Sequence, residues 1–284
     1  NCTARACLRP VPAVPFSAGP YGTNVRDLAA DFTLPTHHGD WNFRTEWNGE
    51  DNYVFLVYAA RNPTSRTDYT AALFNGSLAD LLDRSPRNTH YFFLWGSNES
   101  AFADARTRWL DELGALPEAD RAWWQSRVHF VTTQAAMLPN WIGQMLTYRS
   151  RTALPYKRYD PVQFAIDRTQ RIREVGMLGR LAQGGIIPDI TLLAGEPTYY
   201  NWEHARDARL ARETATVVEL MRDRVVEENA DIDVMLPDAA TMATFDTMEV
   251  DLKMECPNHR DGECGAWDYL SHLWVCDAPS ADRK

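Results

Sequence analysis

The sequence predicts an α/β domain followed by a smaller β-rich region, and three observations carry that prediction. Short, wholly apolar runs alternate with stretches of helical spacing over the first part of the chain. A hairpin pattern closes that series at residues 162–176. Near the C-terminus, residues 246–254 switch to alternation, with Met248, Val250, Leu252 and Met254 on one side. Apolar runs of strand length mark strands buried on both faces, whereas alternation marks a strand covered on one face.

Residues 1–25 contain RPVPAVPFSAGPYG and are expected to form an extended N-terminal arm. The first domain is expected over 26–180. It opens with DFTLPTHHGDWNF, a short β segment with a turn. NYVFLVYAA (52–60) is a buried strand, and DYTAALFNGSLADLLDR after it has helical spacing. THYFFLWG (89–96) is a second buried strand, followed by one or two amphipathic helices up to Arg127. VHFVTT (128–133) is a third strand, PNWIGQMLTYRS a further helix, and VQFAIDRTQRIREVG (162–176) a hairpin turning at Asp167–Gln170. LAQGGIIPD (181–189) predicts a linker, taken as 181–200, before an antiparallel β region over 201–284. Within the helices, Trp123 and Trp124 are expected to pack inward.

The chain of 284 residues is long enough for about two domains. Apolar residues make up 45%, which supplies a core. The net charge is −10, and Lys and Arg are scattered among acids. That distribution argues against a nucleic-acid or anionic-membrane surface, which needs clustered basic residues. No apolar run approaches the roughly 18 residues that suggest a membrane span. The chain opens at Asn1 without a signal-type apolar segment, so a mature form is expected. Asn1-Cys2-Thr3, Asn75-Gly76-Ser77 and Asn98-Glu99-Ser100 are glycosylation sequons. With five cysteines in two clusters, they point to a secreted glycoprotein. Near neighbours pair most simply as Cys2–Cys7 and Cys256–Cys264, which leaves Cys276 for a partner outside the chain or as a free thiol.

The order strand, helix, strand, helices, strand, helix, hairpin, with AADFTLPTHHGDWNF and DPVQFAIDRTQRIREVG, resembles the thioredoxin-like superfamily, in particular its peroxiredoxin and thiol-reductase branches. The resemblance implies that Pro161 is the family's cis-proline, with Phe164 and Asp167 at matching spacing. It also places Asn62-Pro63-Thr64-Ser65 where the family carries its C-x-x-C motif. Disulfide exchange needs a thiolate. Cysteine is absent from 8–255, so this domain cannot perform it, and nothing near Ser65 in sequence supplies the base a serine nucleophile requires.

The stretch ECPNHRDGECGAWDYLSHLWVCD (255–277) leaves three chemistries open. Cys256, His259 and Cys264 offer three metal ligands where zinc takes four. A Cys256–Cys264 bridge would staple a small polar loop. Alternatively, Asp268 beside Trp267 would face a partly dry wall, where burial raises a carboxyl pKa and suits it to acid–base work. MEVDLKMECPNHRDGECGAWDYLSHLWV (248–275) resembles the first jelly-roll strands of the peptide-N-glycosidase F family. That resemblance implies a Cys256–Cys264 disulfide, a jelly roll left incomplete within this chain, and Asp268 at the place of the family's principal catalytic carboxylate. It also implies hydrolysis of the bond between N-acetylglucosamine and asparagine, with further carboxylates supplied from beyond Lys284. Tyr269 replaces the basic residue usual in that family.

The expected fold is therefore an α/β thioredoxin-like domain plus an all-β jelly-roll segment. The expected role is a structural or binding component of an extracellular assembly. A second chain of the same precursor would complete the jelly roll, with Cys276 as the linking residue. The alternative is an amidase on N-glycoproteins, for which N-glycans would be the ligand. No cofactor, metal, nucleic acid or membrane span is expected.

Overall fold

The computed structural model describes residues 13–59, 69–145, 163–176, 178–182, 185–222, 224–225, 232 and 234–252. Strands β1 (Thr33–Thr36) and β2 (Gly39–Asn42) form an antiparallel hairpin running into a one-turn helix α1 (Phe43–Glu46). Strand β3 (Asn52–Tyr58) is followed by helices α2 (Tyr69–Phe74) and α3 (Leu78–Arg84), then strand β4 (Thr89–Trp95). Helices α4 (Glu99–Ala115) and α5 (Glu118–Gln125) lead to β5 (Val128–Phe130), and α6 (Trp141–Met145) follows. Strands β6 (Gln163–Ile166) and β7 (Ile172–Arg173) complete the main sheet.

That sheet has the order β5-β4-β3-β6-β7. β3 pairs parallel with β4 and antiparallel with β6, so the sheet is mixed. Every residue of β3 is buried, because both faces are covered. The two-residue period sends Val54, Leu56 and Tyr58 to one face and Tyr53, Phe55 and Val57 to the other. The first face packs against α2 to α5, where Trp109 stacks on Phe74 at 4.9 Å and donates its indole N–H to the Gly76 carbonyl at 2.9 Å. The second face is covered by the β1–β2 hairpin, α1 and α6, around Phe32, Trp41, Phe43 and Ile142. There Phe55 lies between Phe92 at 4.8 Å and Phe164 at 4.4 Å, both rings nearly parallel to it.

The described part of the N-terminal arm is pinned to this second face. Phe16 contacts Phe43 and Trp47, and the Trp47 indole donates to the Val14 carbonyl at 2.8 Å. Gly49 makes the close approach possible: its φ is +71°, and a Cβ there would overlap the Val14 backbone. Gln170, also at positive φ (63°), is fully buried in the β6–β7 turn. It accepts from Ser17 N–H at 2.7 Å and donates to the Ala29 carbonyl at 2.7 Å, and these bonds hold it in the left-handed region.

Two stretches differ from the sequence-based expectation. The 181–200 stretch, expected as a linker, holds most of the strand pair β8 (Gly179–Ala182) and β9 (Gly185–Pro188), a 3-10 turn at Ile190–Ala194 and the start of helix α7 (Gly195–Leu210). The Gly184-Gly185 pair predicted an unstructured connection, but Ile190, Leu193, Ala194 and Tyr200 enter the first core. The second stretch is the alternating segment. Its described part, 246–252, is not in a strand, and 201–252 carries only the rest of α7 and a short helix α8 (Ala239–Met242) among the described residues. A strand exists by virtue of its hydrogen-bonded neighbour, and alternation alone does not supply one. No helix among the described residues is long and apolar enough to cross a membrane.

Trp109→Ala is expected to lower unfolding free energy by about 3–5 kcal/mol, since it empties the centre of the first core and orphans the Gly76 carbonyl. Denaturant melts monitored by circular dichroism measure this directly.

Candidate functional site at the polar end of the sheet

Most residues nominated from sequence lie outside the described residues. These are Asp268 and Trp267, all five cysteines (Cys2, Cys7, Cys256, Cys264 and Cys276), Asn1, and the positions Asn62, Ser65 and Pro161. Of the two described sequons, Asn75 is exposed just after α2. Asn98 caps α4, its side-chain oxygen accepting from Ala101 N–H at 3.3 Å. Trp124 is buried as expected. Trp123 is only partly so: its indole donates to the Arg87 carbonyl, and the Arg127 guanidinium lies 3.9 Å from its ring centre.

The polar groups gather instead where β3 begins, at the end of the sheet opposite Tyr58. One set is sealed inside. Asp51 precedes β3 and accepts from the Asn48 side-chain amide at 2.7 Å, with the Arg127 guanidinium 3.6 Å away. His90 Nε2 lies 3.1 Å from the same carboxylate, and His90 Nδ1 lies 3.0 Å from His129 Nε2. The two imidazoles are parallel on the second core face. Burial favours the neutral form of both rings: it lowers His90 against the pull of Asp51, and it lowers His129 well below the usual histidine value, aided by the neighbouring His90. Burial would raise Asp51, but the His90 hydrogen bond and nearby Arg127 outweigh it and hold the carboxyl below its usual value.

Neutrality sets the direction of the chain of bonds. A neutral imidazole has one N–H. His90 donates from Nε2 to Asp51, so its Nδ1 accepts from His129 Nε2–H. His129 Nδ1 is left with a buried lone pair and no partner among the described residues. Both rings are nearly inaccessible, at 6% and 3% exposure, so the array cannot reach a substrate.

The second set opens to solvent. A cleft of about 350 Å³ lies between the β6–β7 turn and α7, lined by Arg26, Asp167, Arg168, Glu203, His204 and Asp207 among others. Asp167 organises the turn: Oδ1 accepts from the Thr169 N–H and hydroxyl and from Arg171 N–H, and Oδ2 accepts from Arg173 at 2.8 Å. Arg173 is buried, bridges on to Glu203 at 2.5 Å, and lies over the Tyr200 ring at 4.4 Å. Glu203 also takes a two-pronged bond from Arg26. Burial opposes the charge on Glu203, yet these arginines hold its carboxyl below the usual range. Asn201 joins α7 to the same end, exchanging bonds with Asn52 and Asn88.

This arrangement can hold a polar or charged ligand. No group of three or more metal-ligating side chains occurs among the described residues. The sequence does contain a signal for His90 and His129: each is a titratable residue inside an otherwise apolar strand. What it lacks is the register that brings Phe92 opposite His129 and so lays the two imidazoles side by side.

Two measurements follow from this geometry. The depressed histidine pKa values mean that the unfolded chain binds protons the fold excludes. Stability is full above the unfolded value near 6.5 and falls as pH drops from there, with a slope of up to about 1.4 kcal/mol per pH unit for each such ring. His129→Gln should flatten that slope by up to one proton in denaturation series between about pH 7.5 and 5. Arg173→Met should cost about 3–5 kcal/mol, because it leaves the Asp167 carboxylate buried without its cation. Thermal melts of that variant check it.

No family model matches the chain, and no curated protein matches it at a significant level. Among solved structures the chain is similar to a yeast mitochondrial 1-Cys peroxiredoxin, described for its thiol resolving mechanism via glutathione/thioredoxin systems. The identity is 14%, the TM-score 0.29, and the match covers 54% of this chain and 66% of that one, just under two thirds of its length. The mixed α/β architecture with its mixed sheet is compatible with a thioredoxin-like fold.

Proposed function

We propose that this chain is a redox-inactive, thioredoxin-like scaffold of a secreted assembly, whose C-terminal region takes its missing strand neighbours from a second polypeptide. One observation carries this. In the alternating segment, Glu249 faces α7 and pairs with Arg206 at 2.9 Å and with Arg209, and Asp251 pairs with Arg206 at 3.6 Å. The apolar residues of the alternation, Met248, Val250 and Leu252, have no such cover and are 55%, 52% and 52% exposed. Val217, Val225, Met235 and Leu236 upstream are exposed as well. Contiguous apolar surface is the mark of an interaction site, and this stretch of chain is the candidate for one.

The lack of cysteine between Cys7 and Cys256 supports a non-redox role for the sheet domain. The family pattern around Cys256, Cys264 and Asp268 supports a jelly-roll start, and the odd cysteine left by local pairing, Cys276, is the candidate for a covalent link. In this assembly the α/β domain supplies a rigid base and α7 presents the segment.

Native material run on non-reducing and reducing gels should lose mass on reduction and release a second polypeptide. Amide exchange over 246–252 should be slow in that material and fast in the 284-residue chain alone. Unchanged mass together with fast exchange in both would sink the proposal. Glycan release by native material, abolished by Asp268→Asn, would replace it with the amidase activity.

A further inference from the structure

The cleft beside α7 contains two basic side chains, each with a buried nitrogen that lacks a partner. Arg168 Nε and His204 Nε2 are both shielded from solvent, and neither has a hydrogen-bond partner among the described residues. The other charges of the cleft, Asp207 apart, are engaged. Asp167 and Glu203 are engaged by Arg173 and Arg26, and Arg171 donates to the Arg26 carbonyl at 3.0 Å. Asp207 lies at the rim, 3.7 Å from Arg206. Arg168 is half-buried, and burial weakens its hold on the proton although Glu50, Asp51 and Asp167 act in the other direction. His204 is likewise held below the usual histidine range, first by burial and then by the charge of Arg168. Arg168 Nε thus lacks an acceptor, and His204 Nε2 lacks a partner of either kind, to offset desolvation.

We propose that this cleft binds a small anion bearing a carboxylate or phosphate-type group. The guanidinium of Arg168 would present its planar fork to two ligand oxygens, and the anion would favour the His204 tautomer that donates from Nε2 to a third contact. The volume, about 350 Å³, is at the lower end of the range for small-molecule sites and suits a ligand larger than the anionic group alone. Asp167 and Glu203 do not oppose such a ligand, since both carboxylates are already neutralised within the wall. The site lies on the α/β domain and is independent of the second polypeptide proposed above.

The test is a thermal-shift and calorimetric titration of the full chain with inorganic phosphate and with acetate, against sodium chloride at matched ionic strength. Wild type should be stabilised by phosphate, acetate or both beyond the chloride control. Arg168→Gln and His204→Gln should each weaken that binding about tenfold or more. Arg222→Gln removes a like charge outside the cleft lining and should bind as wild type does. If Arg168→Gln fails to fold, Arg168→Lys takes its place, and it should bind more weakly because it lacks the planar fork. Equal shifts with chloride would overturn the site, as would equal binding by the cleft variants and Arg222→Gln.

Discussion

The architecture depends on one constraint: β3 has no face left for water. A seven-residue strand in which every side chain is buried needs apolar cover on two sides. Helices α2 to α5 meet that need on one side, and the β1–β2 hairpin, α1 and α6 on the other. The same constraint explains the arm. Phe16 and Val14 extend the second cover beyond what the hairpin reaches, and Gly49 lets the backbone approach closely enough for the Trp47 indole to find its acceptor. Loss of cover on either side exposes aromatic rings along the sheet, so the two cores stand or fall together.

Polar groups inside such a sheet have to be satisfied by one another. His90 and His129 point into the second core by strand parity, and the carboxylate that bonds His90 is that of Asp51 at the strand entrance. The result is a short relay with a defined direction, closed to solvent. The open cleft nearby obeys the opposite rule. Its walls are made of ion pairs strong enough to fix the β6–β7 turn against α7, with Arg173 shared between Asp167 and Glu203. Both features occupy the end of the sheet where β3 begins.

Helix α7 borders both the cleft and the 246–252 segment. One side, through Tyr200, Glu203 and His204, closes the cleft. Another, through Arg206 and Arg209, pairs with Glu249 of the 246–252 segment, whose apolar residues are exposed. A single helix thereby borders a pocket and carries an exposed apolar segment. The stretch leading into it, expected as a linker, has to be ordered for either to exist, which is why Ile190, Leu193 and Tyr200 are anchored in the core.

The sequence by itself determined the central strands, their helical connections and the hairpin at 163–173, because local periodicity and apolar composition encode burial without knowledge of neighbours. The absence of cysteine from residues 8–255 was equally legible, as a residue type either is present or is not. The pairing of His90 with His129, the ion-pair wall of the cleft, the packing of 190–200 and the exposure of Met248, Val250 and Leu252 were decided by tertiary structure alone. Each depends on register or on partners distant along the chain. Periodicity gives a side chain's face, but only the fold determines what it meets there.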